Sequence, residues 1–137
     1  MPYTIRRVDY FYTTVRDEPG QAYSLLSQLA SLGVNLVAMT AMPLGPDATQ
    51  LALFPHDSHQ LMSAADKARI ALNGPHRALL VQGDDEMGAI ARVHARLAEA
   101  SINVYASTAI ADGRGHYGYL LYVKPGDYEA AAKVLEV

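Results

Sequence analysis

The chain contains no cysteine among its 137 residues. That removes disulfides and thiolate metal sites, and it fits a reducing compartment. Basic residues are also scarce: 11 Lys and Arg stand against 14 Asp and Glu, for a formal charge of −3. A general nucleic-acid binder needs a basic surface to displace counterions, so no nucleic-acid partner is expected. No apolar run reaches the length of a membrane span, and residues 1–7 lack the apolar centre of a signal peptide. The expected location is therefore cytoplasmic, with no membrane partner. Catalytic signatures are missing as well. No serine stands in a nucleophile-elbow context, and without cysteine covalent catalysis has no obvious carrier. Gly83-Asp84-Asp85-Glu86 is no phosphate loop, because its carboxylates repel phosphate and it has no lysine. His56-Asp57-Ser58-His59 offers two imidazoles and a carboxylate without a convincing further ligand, so neither a metal nor a cofactor is expected.

What the chain does have is internal self-similarity. Asp17-Glu18-Pro19-Gly20 returns as Asp85-Glu86-Met87-Gly88, and Asn35 returns as Asn103, both at an offset of 68 (86 − 18 and 103 − 35). The same shift lays Leu29-Ala30 on Leu97-Ala98, Thr40-Ala41 on Thr108-Ala109 and Leu53 on Leu121 without a gap. A fixed period of this kind marks one supersecondary unit built twice. Half of the residues are hydrophobic and 18% are charged, a globular composition. Each copy, at about 65 to 70 residues, is marginal alone, so the copies are expected to share an interface.

Along the first copy, Tyr3 to Val15 is rich in β-branched and aromatic residues and reads as a long strand. Asp17 or Glu18 is expected to cap the helix that follows, with Pro19 in its first turn and Ala22, Leu25, Leu26 and Leu29 on its buried face. Gly33 stops that helix. Strands from Val34 to Met42 and from Gln50 to Phe54 flank the Pro43-Leu44-Gly45-Pro46-Asp47 turn. A helix started by Asp57 or Ser58, a short strand Ile70-Ala71-Leu72 and an Asn73-Gly74-Pro75 linker complete a βαββαβ order. The second copy repeats this order with a strand Arg77 to Gln82, a helix Met87 to Ala100, a strand Ile102 to Ala111, a strand around Tyr117 to Val123 and a helix Tyr128 to Leu135. It ends before a fourth strand. The first copy carries a surplus, Tyr3 to Arg7, and this segment is expected to cross over and fill the empty edge of the second sheet. The domain expectation is thus residues 1–73, with the extra segment 3–7, and residues 74–137, with the fourth strand missing.

Two such units, each with an acidic turn ending in glycine and a Gly/Ser-hydrophobic-Asn step, resemble ACT domains in tandem. The resemblance implies an α+β fold: two ferredoxin-like βαββαβ repeats packed side by side, with antiparallel sheets and helices on one face. In that family small ligands, often amino acids, bind between the first turn of one domain and the second strand of another. Carried over, the ligand-binding candidates are Asp17, Glu18, Pro19, Gly20, Asn35 and Leu36, and Asp85, Glu86, Met87, Gly88, Asn103 and Val104. The chemistry agrees. A helix N-terminus suits a carboxylate, acidic side chains can hold an ammonium, and an amide can donate and accept at once. Met87 in place of Pro19 sets the two turns apart. Ordinary helix capping, close helix–sheet packing and turn propensity explain the same acids, glycines and asparagines structurally.

The favoured function is a regulatory sensor for a small molecule, an amino acid by preference, acting in trans and forming a homo-oligomer such as a dimer. A structural or assembly protein without a ligand is the second reading. A small α+β enzyme with His94 or His116 as base is the third, and the lack of a replicated histidine counts against it. The tyrosines Tyr105, Tyr117, Tyr119 and Tyr122 read as sheet packing.

Overall fold

The computed structural model describes residues 3–137. Its elements run β1 (Tyr3–Arg16), α1 (Gln21–Ser31), β2 (Leu36–Pro43), β3 (Ala48–Pro55), α2 (Ser58–Ala68), β4 (Asn73–Asp84), α3 (Ala89–Glu99), β5 (Ala106–Ala111), β6 (His116–Tyr122) and, after a short 3-10 turn, α4 (Tyr128–Val134). The strands follow the order β2-β3-β1-β4-β6-β5 in a six-stranded antiparallel sheet, and with four helices they make an α+β fold. The chain divides into two compact units. The first is Asp9–His76, and the second joins residues 3–8 to Arg77–Val137.

Period-2 alternation builds the core of the first unit. Phe11, Leu51 and Leu53 face the same side of the sheet and meet Leu25 and Leu29 of α1 and Leu61 and Ala64 of α2. Phe11, Leu53 and Leu61 are essentially inaccessible, and burying each contributes about 1.5–3 kcal/mol. In the second unit, Leu79, Val81, Tyr119 and Leu121 share a core with Val93 and Leu97 of α3, Ala131 of α4 and Leu135 just after it. The registers repeat with the sequence offset. Phe11 lies opposite Leu53 and Leu79 opposite Leu121, while Thr40 lies opposite Ala52 and Thr108 opposite Leu120.

The opening segment belongs to the second unit. Tyr3 and Ile5 pack against its core. Thr4 Oγ1 donates to the Gln82 carbonyl at 3.4 Å, and Arg6 donates to Gln82 Oε1 at 3.2 Å. Arg7 reaches Glu129 at 2.9 Å, and both Arg7 and Arg77 stand over the ring of Tyr128.

Four expectations need correction. α1 begins at Gln21 behind a left-handed Gly20 and has no side-chain cap, so neither Asp17 nor Glu18 caps it and Pro19 lies outside the helix. The turn is closed by backbone instead: Asp17 N donates to Asp47 O and Glu18 N to Arg16 O. α3 likewise begins at Ala89 behind Gly88, so Met87 is not helical. Ile70 to Leu72 form no strand, because Ile70 N is spent on Ala65 O at the end of α2; β4 starts at Asn73 and runs through the expected linker. Ile102 to Tyr105 also fall outside β5, because Ile102 N closes the end of α3 on Leu97 O. At α2 the cap is as expected, Asp57 accepting from His59 N and Gln60 N at 2.9 and 3.2 Å.

Ile5→Ala is expected to cost about 1–2 kcal/mol in urea unfolding, and to speed amide exchange in α3 and α4 rather than in α1 and α2. The Arg7 guanidinium holds the Glu129 carboxyl below its ordinary value through a hydrogen bond. A depressed folded-state pKa stabilises above the unfolded value, about 4.3 for Glu, and that contribution is lost as pH falls through the folded value. The melting-temperature advantage of wild type over Glu129→Gln is therefore expected at neutral pH, small because the pair is exposed, and should fade as acidification carries the pH down through the depressed folded-state value.

Candidate functional site

Each unit carries one glycine turn at the start of its first helix, and the two share a backbone. Gly20 has φ of 86° and Gly88 of 78°, a conformation that costs an L side chain about 1–2 kcal/mol and glycine almost nothing. Asp85 N donates to Gly115 O and Glu86 N to Asp84 O, repeating the bonds of Asp17 and Glu18. Further left-handed residues follow the same offset: Gly33 with Ser101 and Gly45 with Gly113. Neither helix has a side-chain cap. No carboxylate side chain caps either helix start, and the first helical amides, of Gln21 and Ala89, are held by the carbonyls of Glu18 and Glu86 at 3.3 and 3.2 Å.

Charge separates the two turns. Glu86 is paired with Arg92 at 3.1 Å, both about half exposed. The position equivalent to Arg92 in the first unit is Ser24, and neither Asp17 nor Glu18 makes an ion pair among the described residues. Met87 is 99% exposed, and Pro19, Gly20, Asp85 and Gly88 are exposed too.

The asparagines lie elsewhere in their own units. Asn35 precedes β2, accepts from Leu36 N on its side chain at 3.0 Å and from His56 N on its carbonyl at 2.9 Å. That is the Pro55 end of β3, whereas the first turn abuts the Ala48 end, where Arg16 pairs. The eight residues of β3 separate the two ends by about 24 Å. In the second unit, Asn103 and Val104 sit on the connection before β5, near Tyr122, while Asp85 to Gly88 lie at the His116 end of β6. Leu36 and Val104 are half-buried and pack against their own cores. Within neither unit do a turn and an asparagine meet.

Three residues considered from the sequence, Tyr117, His94 and His116, acquire definite surroundings in the structure. Tyr117 is 7% exposed, and its hydroxyl is buried without a hydrogen-bond partner among the described residues. It shares a core with Ala89 in the first turn of α3, and burial pushes its pKa up. The only signal for it was its alignment with Thr49. His94 is bonded to the Tyr119 hydroxyl and stacked on its ring, and His116 faces Asp112 at 3.3 Å on an exposed hairpin.

No protein-family model matches the sequence, and comparison with curated proteins finds no match. Solved structures do match in fold. A Bacteroides thetaiotaomicron protein aligns with a TM-score of 0.79 at 15% identity, covering 99% of this chain and 90% of that one. The ligand-free regulatory subunit of aspartate kinase from Thermus thermophilus aligns with a TM-score of 0.64 at 15% identity over 99% and 95% of the two chains. Aspartokinase alpha and beta subunits align at 0.60 and 17% identity over 98% and 95%. These likenesses support an ACT-like fold.

Gly20→Ala and Gly88→Ala are each expected to cost about 1–2 kcal/mol through the positive φ alone. An added Cβ meets nothing within 4 Å at Gly20 and only Arg92 Nη1, at 4.0 Å, at Gly88. Denaturant midpoints measure the cost, and unchanged far-ultraviolet dichroism would show that the turns persist.

Proposed function

We propose that the protein is a regulatory module built from two ferredoxin-like, ACT-type repeats, that it binds an amino acid, and that it acts on a separate partner rather than as an enzyme. The observation that carries this is the replicated turn: two helix N-termini without side-chain caps, each preceded by acids and a left-handed glycine. A zwitterion is the ligand such a turn suits, its carboxylate toward the helix and its ammonium toward Asp17 and Glu18 or Asp85. The regulatory aspartate kinase subunit of similar fold supports the regulatory part. Nothing replicated resembles an acid–base pair, because His94 and His116 have non-histidine counterparts, Leu26 and Ala48.

Assembly completes the proposal. β2 and β5 are the end strands of the hydrogen-bonded order, neither contains a charged residue, and they expose Met39, Met42 and Ile110. Unprotected edges of this kind invite pairing with a second chain. The homo-oligomer we propose brings the asparagine ahead of an edge strand in one copy to a turn of another. The same edges favour the second reading, an assembly protein without a ligand.

A thermal-shift screen of the twenty proteinogenic amino acids distinguishes the readings. Binding at about a hundredfold over Kd is expected to raise the melting temperature by about 5–10 °C; a flat response to all of them at millimolar concentration sinks the sensor proposal and leaves assembly. Met42→Lys together with Ile110→Lys is expected to shift the sedimentation coefficient to that of a monomer.

A further inference from the structure

The first unit contains an open groove of about 600 Å³ whose lining includes no residue of its glycine turn. One wall is Tyr12 to Thr14 of β1, and the other is the non-strand segment from Arg69 to Leu72 that leads into β4. Leu25 forms part of the apolar lining, and Thr13, buried at 6% exposure, is a polar part of it.

The second unit shows why the space is open. Its fourth strand is residues 3–8, which match residues 71–76 at the same offset. The recess beside that strand, lined by Tyr3 to Ile5 and Leu135 to Val137, has a volume of about 250 Å³. Tyr3 packs into the core there and receives a hydrogen bond from Arg96 at 3.2 Å. Ala71 occupies the equivalent place in the first unit, Thr13 replaces Val81, and Thr49 replaces Tyr117. Two of these, Ala71 and Thr13, line the groove, so a bulky and an apolar group of the second unit are matched there by a small and a polar one.

Charge is inverted at the same mouth. Arg69 and Glu136 are the left-handed residues that end α2 and follow α4, with φ of 57° and 65°. Glu136 is paired with Arg96 at 3.6 Å, whereas Arg69 makes no ion pair among the described residues. The geometry points to a second small-molecule site in this groove, for a small amphipathic carboxylate whose anion meets Arg69 and whose apolar part lies on Leu25, Ile70 and Leu72. A guanidinium binds carboxylate through two parallel hydrogen bonds. Thr13, Gln50 and Asn73 supply further polar groups, and the volume falls in the range of small-molecule pockets. This site is independent of the glycine turns.

The test is isothermal titration and thermal shift with a panel of four- to six-carbon monocarboxylates, branched and unbranched, which lack the ammonium that the glycine turns require. Wild type is expected to bind at least one. Arg69→Gln is expected to weaken that binding by about tenfold or more while moving the unliganded melting temperature by no more than about 2 °C. Ala71→Tyr, which installs the residue of the second unit, is expected to abolish binding. If Ala71→Tyr does not fold, Thr13→Val with Arg69→Gln carries the test. A flat wild-type response to the panel, or equal binding by Arg69→Gln, overturns the proposal. Arg69→Gln also separates the two sites in the amino-acid screen: a ligand of the glycine turns keeps its shift in this variant, and a ligand of the groove loses it.

Discussion

The register of β1 is the constraint on which both cores depend. At fourteen residues it is more than twice the usual strand length, and its two ends serve different units. Tyr3 and Ile5 enter the core of the second unit, while Phe11 and Val15 enter that of the first. All four are odd-numbered, and side chains alternate faces with period two. A slip of one residue would turn all four outward at once. Neither unit can adjust that strand alone, because residues 3–8 of it belong to the second and residues 9–16 to the first.

Much of this was legible because it is written twice. A single Asp-Glu-x-Gly turn says little, but its return with an asparagine at the same distance predicts a duplicated backbone, and the registers and left-handed positions follow that offset. Strand ends and caps were not legible, for one physical reason. Asp17 has the propensity of a cap, yet whether it caps depends on where Asp47 arrives, and that is a tertiary fact. Ile70 and Ile102 have strand propensity, but their amides are claimed by helices that end just before them. Local preference loses wherever a backbone donor already has a partner.

The candidate residues were legible as positions and less so as a constellation. Equal spacing in sequence brings each turn and each asparagine to the same places in its unit, but those places are the two ends of the strands. Tyr117 and Arg69 carry no motif at all. They emerge only when one copy is compared with the other, position by position, and the comparison asks what bulk or charge has changed.

The two turns share a backbone geometry while their side chains differ, so equal turns need not have equal chemistry. At both, the exposed helix end attracts an anion within about one turn's reach. The first adds Asp17 and Glu18, which make no ion pair among the described residues, whereas in the second Arg92 is paired with Glu86. Mobile ions screen exposed charges beyond about 8 Å, so this difference acts on a ligand in contact and hardly on one approaching. A group carrying both charges therefore finds complementary partners for each at the first turn. At the second, its ammonium must rely on Asp85 or displace Arg92 from Glu86. On electrostatic grounds the first turn would be the stronger of the two for the zwitterion proposed above, whereas the second shares a core with the Tyr117 hydroxyl, which has no hydrogen-bond partner among the described residues.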